Sequence, residues 1–153
     1  MKRASRYMNH VVLADDDLDH AYLFKLVLNE VDPTKTVTIV KDGAELMEFL
    51  SNQVPDLLFL DIAMPCKDGM ECLEEIRERL KLEELPVVVY SNSSHMNDIQ
   101  KSYVHDADLY MVKPFNSKHL KNALSSIFNM EWRKKYTNPW YYFMNNRFVP
   151  YTA

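Results

Sequence analysis

Four short apolar runs, residues 11–14, 57–60, 87–90 and 109–112, constrain this chain more than anything else in it. Each is only four residues long, too short for a buried helix, and each is apolar throughout rather than alternating. Runs of that kind read as strands buried on both faces, as in a parallel sheet with helices above and below. Residues 36–40 (Thr-Val-Thr-Ile-Val) add a β-branched fifth strand. Between the strands lie segments with apolar residues at helical spacing. In residues 18–31 the core face is read as Leu23, Leu26, Val27 and Val31. Gly43 opens a second helix with Leu46, Met47 and Leu50 inside, and a third carries Met70, Leu73, Ile76 and Leu80. Residues 95–104 offer Met96, Ile99 and Tyr103, and a last helix, capped by Asn116 or Ser117, buries Leu120, Leu124, Ile127 and Phe128. Five strands alternating with five helices define a doubly wound α/β domain. The pattern leaves strand order open, but 2-1-3-4-5 would bring the ends of the first and third strands together at the switch point.

Composition removes several classes of function. A chain of 153 residues is one domain's worth, and its net charge of −4 lacks the basic face that nucleic acid requires. No apolar run approaches twenty residues and no signal peptide is apparent, so a cytoplasmic protein without membrane contact is expected. Cys66 and Cys72 fit neither a metal spacing nor a disulfide framework and read as reduced thiols. The five histidines are scattered, and with two glycines the chain has no glycine-rich phosphate cradle.

What remains stands at the strand ends. Residue 14 is followed by Asp15, Asp16 and Asp17, residue 60 by Asp61, residue 90 by Ser91 and residue 112 by Lys113. Open α/β sheets bind ligands at that edge. Asp61 in isolation could merely end a strand, and Asp17 reads as the cap of the first helix rather than a ligand. Beyond Asp61, Met64-Pro65 and Asp68-Gly69 mark a loop in which glycine is expected to supply a positive φ. Convergent carboxylates repel one another, and a hard divalent cation such as Mg²⁺ relieves the repulsion. With a lysine and a hydroxyl beside them, the parts fit phosphoryl transfer to Asp61.

Asp15-Asp16, Asp61 with Met64-Pro65 and Asp68-Gly69, Ser91 and Lys113-Pro114-Phe115 together resemble the receiver domain of two-component response regulators. The resemblance implies a flavodoxin-like five-stranded parallel sheet of order 2-1-3-4-5 with five helices, spanning residues 9–130. It implies Asp61 as the phosphoacceptor charged by a sensor histidine kinase, and Mg²⁺ held by Asp16, Asp61 and the Ala63 carbonyl, with Asp15 acting through water. Ser91 and Lys113 would meet the phosphoryl group, and Tyr110 would be the aromatic switch that changes the surface formed by the fourth helix, fifth strand and fifth helix. Such a protein is a signalling phosphoacceptor with slow self-dephosphorylation rather than an enzyme. Two departures stand out. Asp106-Ala107 replaces the family's Gly-Ala, which puts an aspartate in a left-handed turn, and Asn92 is bulkier than the usual alanine after Ser91.

Residues 131–153 form an aromatic-rich extension with Trp132, Tyr136, Trp140, Tyr141, Tyr142, Phe143, Phe148 and Tyr151. It reads as a cover on its own domain, with a homodimer or partner contact as the alternative. The extension is too short for an output domain, so a stand-alone receiver is expected, acting on an unknown downstream protein or as a phosphorelay shuttle. Stand-alone receivers with such extensions include partners of phytochrome-like kinases, and they often dimerise. Two rival readings are weaker. A haloacid-dehalogenase-type phosphatase needs a second aspartate where Ala63 stands, and a pseudo-receiver would have lost an acid or the lysine.

Overall fold

The computed structural model describes residues 3–4, 8–132 and 141–150. Its strands are β1 (His10–Ala14), β2 (Thr36–Val40), β3 (Leu57–Leu60), β4 (Val87–Ser91), β5 (Leu109–Val112), β6 (Tyr141–Met144) and β7 (Arg147–Pro150). Its helices are α1 (Leu18–Val31), α2 (Gly43–Asn52), α3 (Gly69–Glu78), α4 (Met96–Val104) and α5 (Ser117–Asn129). Arg3–Ala4 and Glu131–Trp132 also pair antiparallel as a separate short ribbon.

The five expected strands form a parallel sheet in the order β2-β1-β3-β4-β5, the flavodoxin-like arrangement. Successive residues of each strand feed opposite layers. Leu13, Phe59, Tyr90 and Met111 enter a core that includes Phe24 of α1 and Leu120, Leu124 and Phe128 of α5. Val12, Leu58, Val89 and Tyr110 enter a second core with Leu46 and Met47 of α2, Leu73 and Ile76 of α3, and Ile99 and Tyr103 of α4. Both faces are covered, which is why the central strand β3 is apolar and buried at every position, whereas the edge strand β2 keeps Thr36 and Thr38. Burying each Leu or Phe contributes roughly 1.5–3 kcal/mol.

Most helix starts at the C-terminal edge of the sheet carry a side-chain cap. Asp17 accepts from the Asp19 and His20 amides, Asp42 from Glu45, Asp68 from Glu71 and Asn116 from His119. His95 leads into α4 without one.

Four expectations about the elements are corrected. The face that α1 buries is Ala21, Phe24, Val27 and Leu28, whereas Leu23 is 36% and Leu26 48% exposed. The segment is apolar on more than one side, so spacing alone offered two stripes, and the larger, better packed Phe24 won. Met96 is exposed at the start of α4, and α3 stops at Glu78, leaving Leu80 partly buried beyond it. Gly69 has no positive φ; in its loop the left-handed residue is Cys66, at φ 68°. Glycine at 69 serves close approach instead. A Cβ there would overlap the Asp61 carbonyl oxygen and lie 2.8 Å from Ile62 Cα. At Gly43 a Cβ would overlap the Lys67 carbonyl oxygen. Both glycines of the chain therefore let the helices close onto the loop that follows Asp61.

The sheet also continues past its fifth strand. Tyr141–Met144 joins β5 in parallel, with Tyr110 opposite Tyr142 and Met111 opposite Phe143, and β7 returns antiparallel beside it. Asn145 and Asn146 turn between them with φ of 53° and 62°, the left-handed pair of a two-residue hairpin. Tyr142 and Phe143 are buried while Tyr141 and Phe148 stay exposed. Tyr136, Trp140 and Tyr151 lie outside the described residues.

Candidate functional site

The ends of β1 and β3 are stitched together by main chain, the Asp61 amide donating to the Ala14 carbonyl at 3.0 Å. The Asp15 amide donates to Val40, and the Lys113 amide to Ser91 at 2.7 Å. Strand register thereby delivers four side chains to one edge. Asp15, Asp16 and Asp61 each offer a carboxylate oxygen, and these lie within 4.8 Å of one another. Lys113 reaches in from β5, its Nζ donating to Asp15 Oδ2 at 2.8 Å and Asp61 Oδ2 at 3.0 Å. These contacts join residues 98 and 52 positions apart.

Asp15, Asp61 and Lys113 are buried, whereas Asp16 faces solvent. Burial raises the Asp61 carboxyl above the ordinary aspartate range, with the Asp15 charge adding to it and Lys113 opposing it. Burial alone would pull the Lys113 amine down, but its hydrogen bonds and the two charges leave it above the usual lysine value. Three acids and one lysine leave a negative pocket of hard oxygen donors, which fits a divalent cation.

The other predicted site residues take separate positions. Ala63 sits in the loop, its amide donating to Asp61 Oδ1 at 3.3 Å. Ser91 is buried on β4, and its hydroxyl accepts from the Ser93 amide at 3.1 Å. Tyr110 is fully buried, and its phenol donates to the Ser93 carbonyl at 2.7 Å. Its own amide donates to the Tyr103 hydroxyl at 3.1 Å. Burial raises the Tyr110 phenol pKa, partly offset by hydrogen bonds with Ser91 and Ser93. Asp17 caps α1, as its place after the acidic pair implied. Cys66 is exposed and Cys72 buried, both as free thiols, and burial pushes Cys72 up to about 12.

Sequence reasoning missed the structural cation that shapes the approach to β5. Arg77 is buried at the end of α3 and donates to the Asp106, Leu82 and Leu85 carbonyls and to Asp108 Oδ2. Asp106 holds φ 68° at this point, so the aspartate does adopt the left-handed turn. An arginine in an acidic helix carries no local signal of such a role. A recess of about 250 Å³ also opens beside the site, between Asn92, Lys113–Phe115 and the Asn145–Asn146 turn. It exists only because the hairpin joins β5, and no short-range pattern announces it.

A parallel five-stranded core with a lysine-bridged carboxylate cluster at its C-terminal edge is the architecture of a receiver-type signalling domain. The chain matches the response regulator receiver domain over residues 11–125 and belongs to that family. In that family the acidic pocket, here Asp15, Asp16 and Asp61, is the pocket for phosphorylation. Response regulator Rcp1 of Synechocystis sp. is 31% identical over 136 residues, covering 84% of this chain and 92% of Rcp1. The crystal structure of the phosphorylated cyanobacterial phytochrome response regulator RcpA superposes with a TM-score of 0.70 at 32% identity, over 78% of this chain and 90% of RcpA. The Mn²⁺-bound form of Rcp1 gives a TM-score of 0.70 at 31% identity, over 78% of this chain and 91% of that one. Among the described residues no helix is long and apolar enough to cross a membrane.

Proposed function

We propose that this protein is a response regulator in which Asp61 takes a phosphoryl group from the histidine of a sensor kinase. The observation that carries the reading is Lys113 Nζ held between Asp15 and Asp61 beside a third carboxylate, at the sheet edge. Asp61 is the nucleophile: its Oδ forms the P–O bond as the P–N bond to the donor histidine breaks, and the imidazole keeps the electron pair. Asp16, Asp61 and the Ala63 carbonyl would hold Mg²⁺, with Asp15 acting through water, and the bound ion would supply positive charge against the negative charge that develops during transfer. That Rcp1 has a Mn²⁺-bound form supports a divalent cation as a ligand of this protein. Lys113 and the Ser91 hydroxyl then turn to the phosphoryl oxygens.

Signalling starts from that rearrangement. Ser91 moving inward disturbs the Ser93 amide bonded to it, and Ser93 is the acceptor for Tyr110. Tyr110 thus reports the phosphoryl group to α4, β5 and α5. In this chain β5 is not an edge strand, so the change passes on to Tyr142 and the hairpin, the part of the 131–153 extension packed against the 9–130 receiver unit. A shift of a few kcal/mol between two populations is enough. The exposed stripe Leu18, Tyr22 and Leu26 on α1 begins next to the acidic pocket, which supports docking of helical kinase segments there. Similarity to Rcp1 and to the phytochrome response regulator RcpA supports a phytochrome-like kinase as the donor.

The test is uptake of acid-labile phosphate from acetyl phosphate with Mg²⁺. Wild type is expected to be labelled and Asp61→Asn to stay unlabelled. Labelling of Asp61→Asn would overturn the assignment.

A further inference from the structure

The phosphoryl-transfer reading leaves the residue before Ser91 without a task, and the geometry around it is specific. Tyr90 is 4% exposed and lies opposite Met111 in the β4–β5 register. Lys113 follows Met111 by two residues, Asp61 follows Phe59 by two, and Asp15 follows Leu13 by two. Strand alternation therefore sends Lys113, Asp61 and Asp15 to the same side of the sheet as Tyr90, Phe59 and Phe24. These three rings interlock edge to face, with centroids 4.9 Å apart for Phe24 and Phe59, 5.7 Å for Phe24 and Tyr90, and 6.0 Å for Phe59 and Tyr90. The acidic pocket thus stands on an aromatic floor. Lys113 Nζ lies 5.2 Å from the centre of the Tyr90 ring, within the range of cation–π attraction.

An ammonium has three N–H groups, and two of those on Lys113 go to Asp15 and Asp61. When Asp61 becomes phosphorylated, its charge and shape change, while Asp15 and the Tyr90 ring stay as fixed contacts of the lysine.

We infer that Tyr90 is a positioning residue for phosphoryl acceptance, its ring acting with Asp15 to hold the Lys113 ammonium over the pocket while its Asp61 partner changes. The inference rests on the reading of Asp61 as phosphoacceptor. The ring acts and the hydroxyl does not. Phenylalanine should therefore replace tyrosine, while methionine, which fills the space without a π face, should not.

The test compares full-length wild type, Tyr90→Phe and Tyr90→Met. One readout is the rate of phosphate incorporation from acetyl phosphate with Mg²⁺. The other is the NMR shift of the Lys113 Cε protons in the unphosphorylated protein. Expected are rates within about twofold for wild type and Tyr90→Phe, and about a tenfold loss for Tyr90→Met. The Lys113 Cε protons should be shifted upfield by the ring in the first two proteins and return to the ordinary position in the third. A Tyr90→Phe as slow as Tyr90→Met, an unimpaired Tyr90→Met, or a slow Tyr90→Met whose Lys113 resonances have not moved would each overturn the inference. If Tyr90→Met does not fold, the wild-type and Tyr90→Phe spectra decide by themselves, because an unshifted Lys113 rules the ring out. Wild type that takes up no phosphate would sink the phosphoacceptor reading instead and leave the NMR comparison standing.

Discussion

Replacing Gly69 by alanine puts a methyl group into the backbone of the loop that carries Asp61. The added Cβ would overlap the Asp61 carbonyl oxygen, and it would lie 2.8 Å from Ile62 Cα and 2.9 Å from the Asp61 carbonyl carbon. All three are main-chain atoms, so no rotamer change relieves the overlap. Either α3 backs away at its first turn or the loop shifts outward. The first stretches the 2.8 Å bond from the Gly69 amide to the Ile62 carbonyl, and the second moves Asp61 away from Lys113. Overpacking of this kind costs about 1–3 kcal/mol. The better helix propensity of alanine returns up to about 1 kcal/mol, and less at the first position of a helix. The net expectation is a loss of about 2 kcal/mol, or a fall in Tm of roughly 4–8 °C for a domain of this size. Urea unfolding followed by far-UV circular dichroism measures it, with the m-value as a check that only stability changed. The rate of phosphorylation from acetyl phosphate should fall as well, because the disturbed atoms belong to Asp61 itself. A variant within about 0.5 kcal/mol of wild type, phosphorylated at the same rate, would refute the claim that this glycine is required for close approach.

Arg77→Met removes the hydrogen bonds to the Asp106, Leu82 and Leu85 carbonyls and takes the buried counter-charge from Asp108, so a loss of about 3–5 kcal/mol is expected in urea unfolding. Asp106→Gly relieves a left-handed residue at φ 68° and should raise stability by a few tenths to about 1 kcal/mol; a measurable fall would show that the aspartate side chain outweighs its strain. Asp61 yields a pH signature. Because burial raises its folded pKa above the unfolded value, the folded state holds the proton more tightly, and this contribution to stability falls as pH rises from the ordinary aspartate range through the raised folded value. Asp61→Asn lacks that loss, so in unfolding curves without divalent cation its stability relative to wild type should grow over the same interval; a difference flat with pH would contradict the burial of an ionised Asp61.

The chain itself settles what depends on neighbours a few residues away. Apolar runs ended by Asp15, Asp61 and Lys113 declare strands and their ends, and Asp17 and Asn116 declare helix starts, because a cap bonds amides only two or three residues on. The acidic pair, the loop aspartate and the lysine were legible for the same reason: each sits at a strand end, and strand ends are local events. Tertiary structure decided everything that required a choice between equal local options. In α1 both Leu23-Leu26 and Phe24-Leu28 make an apolar stripe, and only packing against Phe59, Tyr90 and α5 selects the second. The role of Gly69 depends on a carbonyl eight residues back, folded over it by the loop. Register across the sheet brings Lys113 to Asp15 over a separation of 98 residues, and carries Tyr142 and Phe143 onto β5. Such pairings are fixed by the free energy of the assembled sheet and its two cores, which no window of sequence contains.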